Sequence, residues 1–311
     1  MRLHKYLNKL FFLVVLSMCY AVNAQQDAQY TQYMYNTMSF NPGYAGTRGV
    51  FSGLGLHRSQ WVGLDGAPRT QTFSAHSPIG IGKIGVGFNL TNDEIFITRE
   101  TYFDAIFSYN INVTEETKLS FGVKAGAQLL DNDFNRLVLD EKVDPSYLQQ
   151  IDNRLLPQIG LGAYMYNNNY YVGLSAPNLL ENDHFEDSDG VARIAKERVN
   201  FYLMGGYVFQ VNDDLKLKPA VLSKIVSGAP LQLDLSLNAL MYEKFTLGGA
   251  YRLSAAWSAM AGFQFSDAMM IGFAYDRETT ELAQFNSGSF EVFLRFELFR
   301  QYGRILNPRF F

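Results

Sequence analysis

The sequence predicts an all-β protein that forms a transmembrane antiparallel β-barrel of about 14 strands, with short periplasmic turns and longer extracellular loops. Three observations lead to this prediction. Apolar and polar residues alternate with a period of two in many segments. The connections between these segments alternate between short and long, and the chain begins with a basic leader followed by a short apolar run.

The composition agrees with a strand-rich membrane protein. The 311 residues include 19 Tyr and 25 Phe but only 2 Trp, and aromatic residues make up 15% of the chain. Strands favour aromatic residues, and membrane barrels place them at both interfaces. Charged residues make up 18% and the net charge is −4. The sequence therefore offers no basic surface for nucleic acid, and we exclude that partner.

The alternation is clearest in two segments. In residues 231–238 every odd position is Leu and every even position is polar, and in residues 119–128 the odd positions are again apolar. Successive strand side chains point to opposite faces, so each segment has one apolar and one mostly polar face. The alternative is a soluble β-sandwich or jelly roll. Most segments are about 8 to 13 residues long, which suits a bilayer crossed by about 9 to 11 tilted residues and favours the membrane barrel.

The connections indicate how the barrel is oriented. Counted from Val50, the connections after even-numbered strands are short, such as 78–80, 114–116 and 243–244. Several connections after odd-numbered strands are long, namely 60–69, 131–154, 177–196 and 277–287. Outer-membrane barrels have short periplasmic turns and longer extracellular loops. The first strand is therefore expected to run outward.

The leader defines the expected division of the chain. Arg2, Lys5 and Lys9 precede an apolar run that ends in the small-residue cleavage pattern Val22-Asn23-Ala24, as in a secretory signal peptide. We expect a signal peptide at 1–24, a periplasmic N-terminal arm at 25–48, a transmembrane β-barrel at 49–299 and a C-terminal tail at 300–311. The alternative is an uncleaved anchor, but the apolar run is short for a membrane-spanning helix. The only cysteine is Cys19, so the cleaved chain would contain none.

The expected inward faces mix small and charged residues. Gly122, Gly126, Gly160 and Gly162 are small, and the charged positions include Lys124, Lys218, Asp234, Arg252, Asp276, Glu291 and Arg295. A lumen of this polarity is either wet or filled by paired side chains, and the sequence leaves both readings open.

No group of residues indicates catalysis, so the chain is expected not to be an enzyme and to hold no cofactor or metal. A Gly-x-Ser-x-Gly nucleophile motif is absent. His57 and His76 lie on the first two predicted strands and could be neighbours, but lumen or interface histidines are expected rather than metal ligands. Gly80, Gly82, Gly85 and Gly87 lack the Gly-Lys-Ser/Thr sequence and the following helix of a phosphate loop and are interpreted as packing and turn residues.

The stretch 181–190 is strongly acidic. Its carboxylates and glycine could bind calcium, but Phe185 occupies the position of the first ligand in the standard loop. We therefore interpret the stretch as a solvated outer loop, which is also a surface that a partner could bind.

The strongest local pattern lies near the start of the predicted barrel. Residues 41–46, Asn-Pro-Gly-Tyr-Ala-Gly, prescribe a turn that Asn41 can cap through its side chain. Arg58 and Trp61 follow, and Asp65-Gly66-Ala67-Pro68 forms a turn in the first outer loop. Arg and Trp are typical anchors of protein contacts. Trp61 is equally typical of the aromatic belt at the outer membrane interface, and the pattern does not separate these two roles.

These residues resemble the PorP/SprF family of Bacteroidota, and the resemblance covers nearly all of the predicted mature chain. The motifs that carry it are Asn41-Pro-Gly-Tyr-Ala-Gly46, Arg58-Ser-Gln-Trp61, Asp65-Gly-Ala-Pro-Arg-Thr-Gln-Thr72, Tyr251-Arg-Leu253, Met260-Ala-Gly-Phe-Gln-Phe265, Ala274-Tyr-Asp-Arg277, Gly288-Ser-Phe-Glu-Val-Phe-Leu294 and Asn307-Pro-Arg-Phe-Phe311. The sequence departs from the family at Gly43, where Ala is common, and at Phe290, where His is common. The residues expected to form a partner-binding or structural motif are Asn41, Pro42, Tyr44, Gly46, Arg58, Gln60, Trp61, Asp65, Gly66, Pro68, Thr70 and Gln71.

The resemblance implies an outer-membrane component of the type IX secretion system without enzymatic activity. Some members of the family contact the periplasmic ring and its peptidoglycan-binding lipoproteins, which would involve residues 25–48, the short turns or the tail. Others partner one secreted adhesin, often a gliding adhesin, assist its export and hold its C-terminal domain at the cell surface. The loops 131–154 and 177–196 are the expected recognition surface. The alternative function is a passive diffusion channel or solute transporter, as in a porin.

Overall fold

The structure, a computed structural model, describes residues 29–80, 82–133, 151–181 and 198–298. Its described part is built almost entirely of strands. The strands are β1 Phe51–Ser59, β2 Arg69–Ile79, β3 Ile84–Ile95, β4 Thr98–Asn112, β5 Lys118–Asn132, β6 Ile151–Tyr166, β7 Tyr170–Ala176, β8 Asn200–Tyr207, β9 Phe209–Asn212, β10 Leu215–Val226, β11 Gln232–Met241, β12 Phe245–Arg252, β13 Ala256–Ser266, β14 Met269–Glu278 and β15 Ser289–Leu298. A single helical turn, Thr37–Phe40, a 3-10 turn, Pro42–Tyr44, and a second 3-10 turn, Glu281–Gln284, complete the elements.

The strands form one closed antiparallel barrel. Apart from β8 and β9, each strand pairs with its neighbours in sequence, and β1 closes the ring by pairing with β15, with Leu56 opposite Phe293. Segments β8 and β9 both pair with β10 and flank Val208, so together they make one wall strand. The wall therefore has 14 strands, which confirms the predicted barrel. Closure leaves the sheet without an unpaired edge, which a lipid environment requires.

The two faces of the wall differ in the sense expected of a membrane barrel. On β11, Leu235 and Leu237 are 48% and 53% exposed on the outside, whereas Asp234 and Ser236, which alternate with them, are buried inside. The same alternation recurs around the ring, because the outer face carries the large exposed side chains, Phe73, Phe107, Phe121 and Phe273 among them. Hydrocarbon can receive such a face and water cannot, so the apolar side of the strands is the lipid side.

The connections separate the barrel into two ends. The turns 80–83, 113–117, 167–169, 213–214, 242–244 and 267–268 lie at one end, which we call the inner end. The strand ends that are joined by the connections 60–68, 96–97, 133–150, 177–199, 227–231, 253–255 and 279–288 lie at the other end, which we call the outer end. The four longest connections are all at the outer end, as the sequence predicted. The acidic stretch 181–190 falls outside the described residues except for its first residue.

No helix among the described residues is long and apolar enough to span a membrane.

The lumen is filled by the chain itself. Residues 29–48, which we call the lumen segment, are buried almost throughout and contact the inward faces of the strands. The expectation of a periplasmic arm over 25–48 is therefore wrong for the described residues of that range. The physical reason is visible in the composition of the segment, because Tyr30, Tyr33, Met34 and Phe40 gain more from burial than from contact with water.

Candidate functional site

The lumen segment crosses the barrel from the outer end to the inner end. At the outer end, the Tyr30 hydroxyl lies 2.6 Å from Thr72 Oγ1, and the Gln29 amide donates to Gln232 Oε1 at 3.2 Å. At the inner end, Arg48 Nε donates to Glu297 Oε1 at 2.7 Å, with a second bond from Nη2 at 3.0 Å. Charged and polar contacts thus fix both ends of the segment. Strand β1 follows it in the chain and begins at Phe51.

Arg58 forms the centre of the outer anchor. Its guanidinium is 1% exposed and donates to Asp276 Oδ2 at 2.7 Å and to Glu291 Oε2 at 3.2 Å. It also donates to Thr31 Oγ1 at 2.8 Å, and that hydroxyl in turn donates to Asp276 at 2.5 Å. Both carboxylates are thus paired with the same buried cation, and buried ions are tolerated only when they are paired and hydrogen-bonded.

The carboxylate of Glu291 also holds the backbone of the lumen segment. It accepts hydrogen bonds from the backbone N–H of Thr31 at 3.0 Å and of Gln32 at 2.9 Å. Charge-assisted bonds of this kind are stronger than neutral ones. Three strands, β1, β14 and β15, are thereby joined to the segment through one network.

The predicted turn at 41–46 lies deep in the lumen. Asn41 Oδ1 accepts from the backbone N–H of Gly43 at 2.9 Å, which confirms the expected side-chain cap. The amide of the same side chain donates to the Ala163 carbonyl at 3.0 Å and to the Leu174 carbonyl at 3.4 Å. Asn41 therefore both closes the turn and ties it to β6 and β7.

Inward-facing glycines make room for this turn. A Cβ placed on Gly122 would lie 2.2 Å from the backbone carbon of Pro42, and one on Gly162 would lie 2.1 Å from Asn41 Oδ1. On β3, a Cβ on Gly85 would lie 2.2 Å from the Ala45 carbonyl oxygen. The segment approaches the wall closely enough that a side chain at these positions would displace it. The contact at Gly85 agrees with its interpretation as a packing residue.

Tyr44, within the turn, packs against His76 of β2. Their rings are 5.4 Å apart in an edge-to-face arrangement, and His76 Nδ1 accepts from the backbone N–H of Gly46 at 3.1 Å. His57 points outward instead and lies 3.1 Å from Ser59 Oγ. The two histidines were expected as possible neighbours, but they lie on opposite faces of the wall. Among the described residues, no group of three His, Cys, Asp or Glu side chains could hold a metal ion.

The first outer loop, residues 60–68, is an ordered bridge across the outer rim. Val62 exchanges backbone hydrogen bonds with the connection 279–288, donating to Gly288 at 2.9 Å and accepting from Ser287 at 2.7 Å. Gly66 accepts from the backbone of Phe96 at 3.0 Å. A Cβ on Gly66 would come within 2.6 Å of the Phe96 ring, and its φ of +71° also favours glycine.

Trp61 is held within this bridge. Its indole N–H donates to Glu278 Oε1 at 3.1 Å and its backbone N–H donates to Ser289 Oγ at 3.2 Å. The side chain is half-buried against the rim, so it joins the loop to β14 and β15. Trp61 therefore has a structural role at the outer rim, in addition to the two roles that the sequence left open, partner anchor and belt aromatic.

The residues expected to form one motif are divided among three environments. Asn41, Pro42, Tyr44 and Gly46 belong to the lumen segment; Arg58 and Thr70 point into the lumen; Gln60, Trp61, Asp65, Gly66 and Pro68 belong to the outer loop; and Gln71 points outward. Thr70 donates to Asp93 at 2.5 Å within the wall. The motif does not form a single binding surface but joins the segment, the wall and the loop.

The expected site omitted the partners of Arg58 and Arg48. Asp276, Glu291 and Glu297 hold the lumen segment, yet their contacts join residues more than 200 positions apart. One signal was present, because charged residues at positions that face inward in otherwise apolar strands must find partners in the lumen.

The chain is similar to known membrane proteins in sequence and in fold. The chain matches the family model of the type IX secretion system membrane proteins PorP/SprF over residues 22–296. Among solved structures, it is similar to the toluene transporter TbuX of Ralstonia pickettii, with 11% identity and a TM-score of 0.50, over 84% of this chain and 92% of that chain. It is also similar to the outer-membrane protein Omp33 of Acinetobacter baumannii, with 8% identity and a TM-score of 0.48, over 80% and 98% of the two chains. The comparison with curated proteins found no match.

Proposed function

Because the chain belongs to the PorP/SprF family of type IX secretion system membrane proteins, we propose that it partners a secreted adhesin, assists its export and anchors its C-terminal domain at the cell surface. The family and the barrel fold indicate a secretion component of the outer membrane rather than an enzyme. Adhesin partnering is the finer part of this proposal, and it rests on how the barrel is filled.

The filled lumen is the observation that carries the proposal. The wall encloses its own residues 29–48, and two cavities that the described residues line between segment and wall measure about 10 and 70 Å³. Spaces of this size hold only a few water molecules. A barrel of this kind acts on other molecules through its surfaces. This is also why we disfavour the alternative of a passive diffusion channel or solute transporter.

The outer end is the surface that we assign to the adhesin. It carries the four longest connections, and the bridge 60–68 gives it an ordered platform joined to the connection 279–288. Val62, Phe96 and Phe285 are exposed there, at 37%, 52% and 67%. Exposed apolar side chains beside a polar rim are typical of protein-binding surfaces. The loops 131–154 and 177–196 connect strands at the same end of the barrel, and we assign them to the same recognition surface, although most of their residues lie outside the described part of the chain.

The inner end is the surface that a role in the core machinery would use. Contact with the periplasmic ring or with peptidoglycan-binding lipoproteins would involve the inner-end turns and the tail 300–311, which lies outside the described residues. Residues 29–48 are occupied by contacts with the wall and are not offered to such a partner.

Deletion of the gene tests the proposal. We expect one or a few adhesins to disappear from the cell surface, permeability to small solutes to stay unchanged, and the wild-type gene to restore the surface proteome. Mild-detergent purification of the tagged protein should then recover the missing adhesin. A deletion strain with an unchanged set of surface and secreted proteins would contradict adhesin partnering.

A further inference from the structure

A polar cavity of about 450 Å³ lies beneath the first outer loop. The loop leaves β1 and returns to β2 through the bond from Gln60 N–H to the Pro68 carbonyl at 2.9 Å. Its far side is tied to the connection after β3 through the bond between Phe96 and Gly66. The loop therefore overhangs the ends of β1, β2 and β3, and the cavity is the space between the loop and these strands.

The alternation of the strands places this cavity outside the barrel. Arg58, Thr70 and Asp93 are buried in the lumen. Their neighbours His57, Arg69, Gln71 and Glu94 point to the opposite face and line the cavity. The cavity thus faces the membrane side of the wall and is separated from the lumen by the sheet itself.

The height of the cavity is that of the lipid head groups. On β2, the outward position below Gln71 is Phe73, which is 50% exposed and belongs to the apolar belt. The rise of about 3.3 Å per residue puts Gln71 about 7 Å above Phe73. On β3, Phe88 is likewise in the belt and Glu94 lies above it. A molecule in this cavity is therefore bounded by hydrocarbon below and by the loop above.

The lining suits a ligand rich in hydroxyl groups. Gln60 and Gln71 supply amides that both donate and accept, Asp65 and Glu94 supply acceptors, and Arg69 supplies donors. A simple anion would meet two carboxylates, and an acyl chain would leave five polar groups without water. Hydroxyl groups satisfy donors and acceptors together. The exposed ring of Phe96 adds an apolar face. The volume falls within the usual range of small-molecule sites, about 300–1,000 Å³.

We propose that this cavity binds the sugar head group of a glycolipid in the outer leaflet. The lipid-linked form is the occupant because the cavity opens on the lipid-facing side of the wall at head-group height. The cavity shares the loop 60–68 and Phe96 with the outer platform that we assign to the adhesin, but its strand residues point sideways from the barrel toward lipid. The inference does not depend on adhesin partnering.

Retention of lipid by the purified full chain tests this inference. The protein is extracted from its own outer membrane in mild detergent, washed, and analysed for bound lipopolysaccharide by native mass spectrometry. The test variant is the double substitution Arg69→Ala and Gln71→Ala. The matched control is Arg198→Ala, which removes an exposed cation near the outer end of β8, outside the cavity. Faster migration of unheated samples in detergent gels verifies that each variant is folded.

We expect the wild-type protein and Arg198→Ala to retain the glycolipid, and the double variant to bind it about tenfold more weakly because two hydrogen-bonding side chains are lost. In nanodiscs, the glycolipid should not be displaced by phosphatidylglycerol, and the released oligosaccharide should bind much more weakly than the intact lipid. Equal retention by wild type and double variant would overturn the proposal. Displacement by phosphatidylglycerol, or equal binding of the free oligosaccharide, would overturn it as well.

Discussion

Arg58 is the side chain on which the junction between lumen segment and wall depends most. It is buried with two carboxylates, and one of these also accepts two backbone hydrogen bonds from the segment. Removal of the guanidinium would leave both carboxylates buried without their cation. Such uncompensated charge is far more destabilising than the loss of an exposed pair.

We expect Arg58→Ala to lower the free energy of unfolding by about 3–5 kcal/mol. Arg99→Ala is the matched control, because its partner Glu94 lies 3.6 Å away and the two side chains are 54% and 33% exposed; a loss of about 0–1 kcal/mol is expected there. Urea unfolding in liposomes, followed by tryptophan fluorescence, measures both. Equal losses for the two variants would mean that the network does not hold the segment.

Gly122 tests the close approach of the segment to β5. Gly122→Ala would place a methyl group 2.2 Å from the Pro42 backbone, where neither partner has a flexible side chain to move aside. We expect a loss of about 1–3 kcal/mol, typical of overpacking. Gly55→Ala serves as the control, since nothing lies within 4 Å of its added Cβ. The same unfolding assay should show little change for Gly55→Ala, and a neutral Gly122→Ala would argue against the described position of the turn.

The residues that hold the lumen segment show which contacts could be predicted from the sequence. The cap at Asn41 was predictable because it is local, requiring only the Asn-Pro-Gly order. The role of Thr31 was not, because its partners Asp276 and Glu291 are far away in sequence and meet it only when the barrel closes. Charged residues at inward-facing positions indicated that each needs a partner in the lumen, but they did not indicate which residue that partner is.

The position of the lumen segment could not be predicted from the sequence. Strands were predictable from a period of two, but residues 29–48 show no such period, and their Tyr and Met side chains fit an exposed arm, a core or a membrane interface equally well. Only the closed wall decides among these, since it creates a cavity lined by polar side chains and glycines that match the segment. Structure at this scale therefore depends on tertiary context.

A thiol cross-link tests the position of the segment. Ser39 Oγ lies 3.3 Å from Asn89 Oδ1 on the inner face of β3. In a Cys19→Ser background, we expect Ser39→Cys and Asn89→Cys to be joined by a short bis-thiol linker in intact membranes, with a shift in gel mobility. Ser39→Cys with Phe88→Cys is the control pair, because Phe88 is adjacent but points to lipid. Equal cross-linking of both pairs, or of neither, would contradict the position of the segment inside the lumen.

At the scale of the whole molecule, the apolar exterior and the filled interior act together. Around the closed ring, large apolar side chains face outward and polar ones face the segment, so the barrel is suited to lipid and its interior is occupied by the described lumen segment. One part of this arrangement could be predicted from the sequence and the other could not. The barrel and its two unequal ends followed from alternation and connection lengths, whereas the sequence left a wet and a filled lumen equally open.

The conductance of the purified protein in planar bilayers tests most directly whether this membrane barrel is closed by its own segment. Insertion is verified first by protease protection of the reconstituted chain. We predict that the wild-type protein produces no stable conductance steps at either polarity. Reproducible ohmic steps, like those of an open porin, would contradict the filled lumen and, with it, the view that the protein works through its surfaces.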